Sequence, residues 1–297
     1  MNISKLDHDP WDDFAHHPRR STISGLELIE RFRAFQGFVE QLPRKELVNR
    51  GWLHSADDAT ALAPIFFSQP PARTSTLFRK SASADESLLS LWLAQARAQA
   101  EFICVAESPR AFESLEKEQL REWAHLSVEP SAVRLLPAKL ARRGIVLVYL
   151  LALPGMKADG AVFKLRSGHA VVALSLRFPR LDYFWFTLMH ELAHLVLHAN
   201  QLDEAFVYDV REEQPEEESP VEKAANRVAK DALVERSSWR NCEPKYQGGN
   251  DPVIRYARAQ GIHPSIVAGL LRRETGNYAR YASIINEHDV REILFQS

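Results

Sequence analysis

The chain has 297 residues, 45% of them hydrophobic and 26% charged, a balance that fits a folded globular protein and excludes a disordered or fibrous one. Its formal net charge of -2 leaves no basic footprint of the kind that phosphate-backbone binding produces, so direct nucleic-acid binding is not expected. No run approaches the roughly 20 consecutive apolar residues of a membrane helix, and two widely separated cysteines, Cys104 and Cys242, point to a reducing, cytoplasmic setting.

Residues 1–20 read as a loose polar tail, with Pro10, Pro18, His8, His16 and His17 but no periodicity. A helical region is expected over 21–143. Leu26, Ile29, Phe32, Phe35 and Phe38 recur near helical spacing between Gly25 and Leu42, and "LPRKELVNRGWL" continues helically from Pro43. "DDATALAPIFFS" reads as a short helix opened by Asp57 or Asp58, and a proline-rich loop follows. The stretch from Asp85 to about Glu107 has the length and period of a long amphipathic helix, with further helices expected over roughly 111–126 and 131–143.

The period then changes. "GIVLVYLLAL" is a continuous apolar run, and "GAVFKLRSGHAVVALSL" alternates around a Ser167-Gly168 turn, which predicts a hairpin in a small, mostly antiparallel sheet. That hairpin is the candidate sheet edge for an extended peptide. The run "REEQPEEESP" is polar and proline-bearing, so a surface loop is expected, and "VEKAANRVAKDALV" after it is a helix in close register. Pro252 to Leu294 reads as a compact helical C-terminal part of a domain spanning 144–297.

The most apolar predicted helix, "FWFTLMHELAHLVLH", contains His190, Glu191, His194 and His198. Buried polar groups are costly when unpaired, so something must compensate them, and a metal ion is the direct candidate. His190, Glu191 and His194 spell HExxH. Four residues carry a helix about 40° past a full turn, which sets both imidazoles on one face within reach of one ion. Glu191, beside the first histidine, is placed to act as a general base without entering the coordination shell.

A catalytic zinc takes three protein ligands and keeps a position open. Glu222 is the candidate third ligand, with Asn226 one turn on as a supporting residue, and Ala225 and Ala229 are small enough to let the two helices approach closely. A second reading stays open, because Ser219-Pro220-Val221-Glu222 is also a capping box in which Glu222 satisfies backbone donors. His198 lies two turns from His190, too displaced along a straight helix for a shared tetrahedral site, and is expected in the core or behind the ligands. His263 either reaches the cleft as an oxyanion donor or simply precedes the helix that Pro264 opens. Asp182 and Arg177 are expected to cap and anchor the metal helix, and Asp209 is a candidate partner for a ligand histidine.

"RLDYFWFTLMHELAHLVLH", "EKAANRVAKDAL", the upstream "GIVLVYLLALPGMKADGAVFKL" and the downstream "GIHPSIVAGLLRRETGNY" together resemble the ImmA/IrrE metallopeptidases, in particular the branch associated with HigA-type antitoxins. The resemblance spans roughly 85–294. It implies an α+β, zincin-like, minimal gluzincin core in which His190, His194 and Glu222 hold zinc and Glu191 is the general base. Mn2+ and Fe2+ suit the same donor set. It also implies a protein substrate, namely a helix-turn-helix regulator cut to derepress stress, defence or mobile-element genes. Relatives often carry a glutamate where this chain has Ala224, and often an N-terminal helix-turn-helix domain that the first 80 residues here do not resemble. The alternative expectation is an antitoxin or regulatory binding module of a toxin–antitoxin system that uses the same fold without proteolysis.

Overall fold

The computed structural model describes residues 25–67, 84–199, 202 and 219–296. Asp209, the histidines of the tail and nearly all of "REEQPEEESP" lie outside the described residues. The N-terminal half is helical: α1 (Gly25–Glu40), α2 (Arg44–Asn49), α3 (Ala63–Phe67), α4 (Ala84–Glu107), α5 (Lys117–Ala124) and α6 (Leu136–Ala141). Asp58 helps to open the turn before α3, since its Oδ1 accepts from the Thr60 backbone N–H at 3.0 Å. Two helical expectations shorten. Residues 111–116 are not helical, because α5 starts at a reciprocal capping box in which Glu116 and Gln119 satisfy each other's backbone donors. Residues 130–134 form a 3-10 turn, and α6 begins only after it, with Pro137 in its first turn, where the missing N–H costs nothing.

Three strands follow: β1 (Ile145–Tyr149), β2 (Gly160–Lys164) and β3 (Ala170–Leu174), in the order β1-β3-β2. β2 and β3 form the anticipated hairpin, with Gly168 at φ 85° where the turn needs a left-handed residue. The sheet is mixed, however, not mostly antiparallel, because β3 runs parallel to β1. The cause is the 150–159 connection, which carries the chain across the sheet before β2 begins, so the hairpin returns β3 into the middle. β3 is therefore interior, and β2 alone is the hairpin's edge strand among the described residues. Nor is "GIVLVYLLAL" one long strand. Side chains from the helices claim its later carbonyls: Trp92 Nε1 donates to Leu150 O at 2.9 Å, and the Arg50 guanidinium donates to Leu151 O and Ala152 O at 2.7 and 2.8 Å.

Both faces of the sheet are covered. Ile145, Leu147, Val162, Ala170, Val172 and Leu174 point into one core, and Val146, Val148, Ala161, Phe163, Val171 and Ala173 into the other. Two-sided burial is why "GIVLVYLLAL" is a continuous apolar run and why successive residues of β2 and β3 are buried as well. The second core is filled by α1 to α4. The first receives α5, α6 and the long helix α7 (Leu181–His198), followed by α8 (Pro220–Leu233), α9 (Arg236–Arg240), α10 (Asn250–Gln260), α11 (Pro264–Thr275), α12 (Ala282–Ile285) and α13 (Val290–Phe295). The architecture is α+β. No helix among the described residues is long and apolar enough to cross a membrane, and both cysteines are free.

Candidate metal centre

α7 is buried along the face formed by Trp185, Leu188, Met189, Leu192 and Leu195. Its neighbour α8 is amphipathic, and Ala225 and Ala229, both fully buried, let the two helices meet closely. That approach brings together three side chains separated by 32 positions of sequence. Nε2 of His190 and Nε2 of His194 stand 3.1 Å apart. Glu222 places Oε2 3.0 Å from the first and Oε1 3.5 Å from the second. Ligands at about 2.0–2.1 Å from a tetrahedral ion lie roughly 3.3 Å from one another, so the three groups already have the spacing that one divalent cation requires.

The donor chemistry agrees. Asn226 Oδ1 lies 3.0 Å from His190 Nδ1, and an amide oxygen only accepts, so Nδ1 carries the proton and Nε2 turns its lone pair toward His194 and Glu222. Burial, and then the neighbouring His190 ring, push the His194 imidazole down to about 3, which keeps it neutral, as a ligand must be. Both histidines are buried, whereas the Glu222 side chain is 24% exposed, so solvent reaches the triad from the α8 side. Glu222 also satisfies part of its second reading. Ser219 Oγ accepts from the Glu222 backbone N–H at 3.2 Å, while the carboxylate, which a full capping box would turn back to the helix end, faces the histidines.

Glu191 is fully buried beside the triad, against β2. A Cβ on Gly160 would stand 2.5 Å from Glu191 Oε1, so only glycine at the first position of β2 leaves room for this carboxylate. Gly160 follows Asp159, which accepts from Arg177 Nε at 2.9 Å and from the Tyr183 hydroxyl at 2.5 Å, tying the start of β2 to the first turns of α7. Nothing in the sequence pattern singles out Gly160 or Asp159, because their roles depend on contacts with residues well separated from them in sequence. Phe186, read as one more apolar residue, stacks on His190 at 6.4 Å between centroids.

Other candidates fall elsewhere. Arg177 anchors α7 through Asp159, as described, but Asp182 does not cap the helix. It pairs with Arg180 at 2.5 Å, and Gly269 of α11 packs directly on it. His198 stays outside the triad, its ring 5.9 Å from that of His194. His263 caps α11, accepting from the Ser265 N–H at 3.2 Å through Nδ1, and is packed against His288 rather than the His190–His194–Glu222 triad.

Residues 142–259 match the model of the M78 peptidase family, described as the IrrE N-terminal-like domain. This part of the chain is similar to that domain. The matched span holds β1 to β3, α7 and α8, and with them His190, Glu191, His194, Glu222 and Asn226. No curated protein sequence matches the chain.

Proposed function

We propose that the chain is a zinc-dependent endopeptidase with a minimal gluzincin-type core, its substrate a protein cut in an extended linker, first among candidates a helix-turn-helix regulator. The observation that carries this reading is the convergence of His190, His194 and Glu222 at coordinating distance beside a buried Glu191, within a domain matched by a peptidase family. A divalent metal held there would lower the pKa of a water molecule and polarise the peptide carbonyl. Glu191 takes the proton from the attacking water and delivers it to the leaving amine nitrogen. Asn226 fixes the His190 tautomer, and the apolar packing of α7 buries both imidazoles while the Glu222 side stays open to solvent. In the β2–β3 register, the backbone groups of Gly160, Val162 and Lys164 point away from β3, so an extended substrate can add to that edge beside Glu191.

The test is cleavage of the helix-turn-helix regulator encoded nearest to the gene, with zinc and with chelator, mapped by mass spectrometry. Glu191→Gln removes the proton acceptor but no ligand, so metal content is retained while cleavage falls by about 10² to 10⁴. A stable, uncut complex formed equally by the wild type and Glu191→Gln would instead select the binding-module reading of a HigA-associated system.

A further inference from the structure

A second cavity, of about 590 Å³, opens between α8, α9 and α11. It adjoins the metal centre, because Asn226 and Phe186 line it and both touch His190. Five cations, Arg227, Lys230, Arg236, Arg240 and Arg273, line it against two carboxylates, Asp231 and Glu274, in a chain whose overall charge is -2. Glu274 is already engaged by Lys230 at 2.6 Å, Lys245 at 3.0 Å and Trp239 Nε1 at 2.6 Å. Arg227, Arg236 and Arg240 are exposed and form no ion pair with any described residue. Three guanidinium groups without an ion-pair partner among the described residues, in a cleft where cations outnumber carboxylates, create a local positive potential, and each presents the planar fork that matches a carboxylate.

We propose that this cleft is a specificity subsite that binds an acidic segment of polypeptide flanking the cleaved bond. The proposal rests on the peptidase reading above. A nucleic-acid strand fits less well, since base stacking needs open aromatic faces. Trp239 is packed beneath Lys245 and Lys230, at 4.8 and 5.5 Å, and Phe186 lies between Arg273 and His190. Asp231 and Glu274 would also repel a continuous phosphate backbone, whereas they can sit between the discrete carboxylates of a peptide.

The experiment uses the full chain, zinc-loaded and carrying Glu191→Gln, and measures anisotropy with short labelled peptides of alternating Gly with Glu, Gln or Lys. The Glu peptide binds on the order of tenfold more tightly than the Gln peptide at about 50 mM salt, and the gap closes near 500 mM. Adding Arg227→Gln, Arg236→Gln and Arg240→Gln together abolishes the preference while zinc content stays at its parent value. Equal binding of the Glu and Gln peptides overturns the proposal, as does a preference that survives in the triple variant. So does displacement of the Glu peptide by a single-stranded oligonucleotide that binds more tightly. If the triple variant does not fold, the salt dependence of the parent decides alone. Acidic preference in a chain whose wild type cuts nothing overturns only the peptidase reading, whereas cleavage without that preference overturns only the subsite.

Discussion

Behind the sheet, Val146, Val148, Ala161, Phe163, Val171 and Ala173 meet Leu88, Leu91, Trp92 and Ala96 of α4 in an apolar layer, while the opposite face meets a helix that carries His190, Glu191 and His194 into its core. On the first side shape and volume suffice, because dispersion and burial are not directional. On the second, each buried polar group depends on particular partners: His190 on Asn226, His194 on its neutral state, Glu191 on the absence of a side chain at Gly160. One sheet thus separates a face that supplies stability from a face that holds chemistry. Variants that move one property and leave the other sharpen this division, and variants that move both break it.

The largest effect is expected behind the sheet. Trp92 is fully buried and its indole N–H donates to Leu150 O. Trp92→Ala should cost about 3–5 kcal/mol of unfolding free energy in urea titrations. Its metal content should remain that of the wild type, and a parallel loss of metal would show that the two faces are coupled.

Next in size is a pH effect on the chemical side, away from the ligands. Burial, then the neighbouring His288, push His263 down to about 4 from an ordinary 6.5, with Glu287 and Glu129 partly opposing the shift. Above pH 6.5 both the folded and unfolded chains carry this imidazole neutral. As pH falls from 6.5 toward 4 the unfolded chain takes up the proton first, so stability drops through that window and levels off below it, by about 3 kcal/mol in all. His263→Asn keeps a good N-cap and removes the titration. Comparing denaturation near pH 7 and near pH 4.5, the variant should lose less stability than the wild type by about 2 kcal/mol; equal losses would place the titrating group elsewhere.

What could be read in advance follows the same division. The helices were legible where an apolar stripe recurs, as in α4 and α8, and HExxH placed His190 and His194 on one helix face because their spacing is local to one helix. Glu222 and Asn226 were legible as a pair for the same reason, one helical turn apart, though its own sequence left Glu222 between ligand and cap. The parallel pairing of β1 with β3 was not legible, since an apolar run buried on both faces carries no mark of its partner. Neither was the start of α5, where residues 111–116 share the apolar composition of a helix but Glu116 and Gln119 set the boundary. Gly160 and the arginine cleft lie wholly in contacts between distant segments.

Gly160→Ala tests one such contact. Its Cβ would fall within 2.9 Å of three Glu191 side-chain atoms, so β2 or the carboxylate must shift. Overpacking of this kind should cost about 1–3 kcal/mol of stability, and cleavage should fall while zinc stays bound. A variant with unchanged cleavage would mean that Glu191 does not act from the position it occupies here.

The smallest expected effect lies on the boundary between ligand and scaffold. Asn226 donates nothing to a metal in this arrangement; its Oδ1 holds the Nδ1 proton of His190, and thereby aims the lone pair of Nε2 at Glu222 and His194. Removing such a support leaves all three ligands in place but lets the imidazole rotate or change tautomer, and losses of about 10- to 100-fold in metal affinity are typical. Asn226→Ala should therefore weaken zinc binding by that factor in competition with a chromophoric chelator, with far-UV circular dichroism unchanged. Asn226→Asp keeps the acceptor and adds a charge that strengthens the hydrogen bond, so it should recover most of the affinity. Wild-type affinity in Asn226→Ala would mean that the helix contact alone orients His190, and failure of Asp to restore what Ala removes would assign Asn226 a packing role instead.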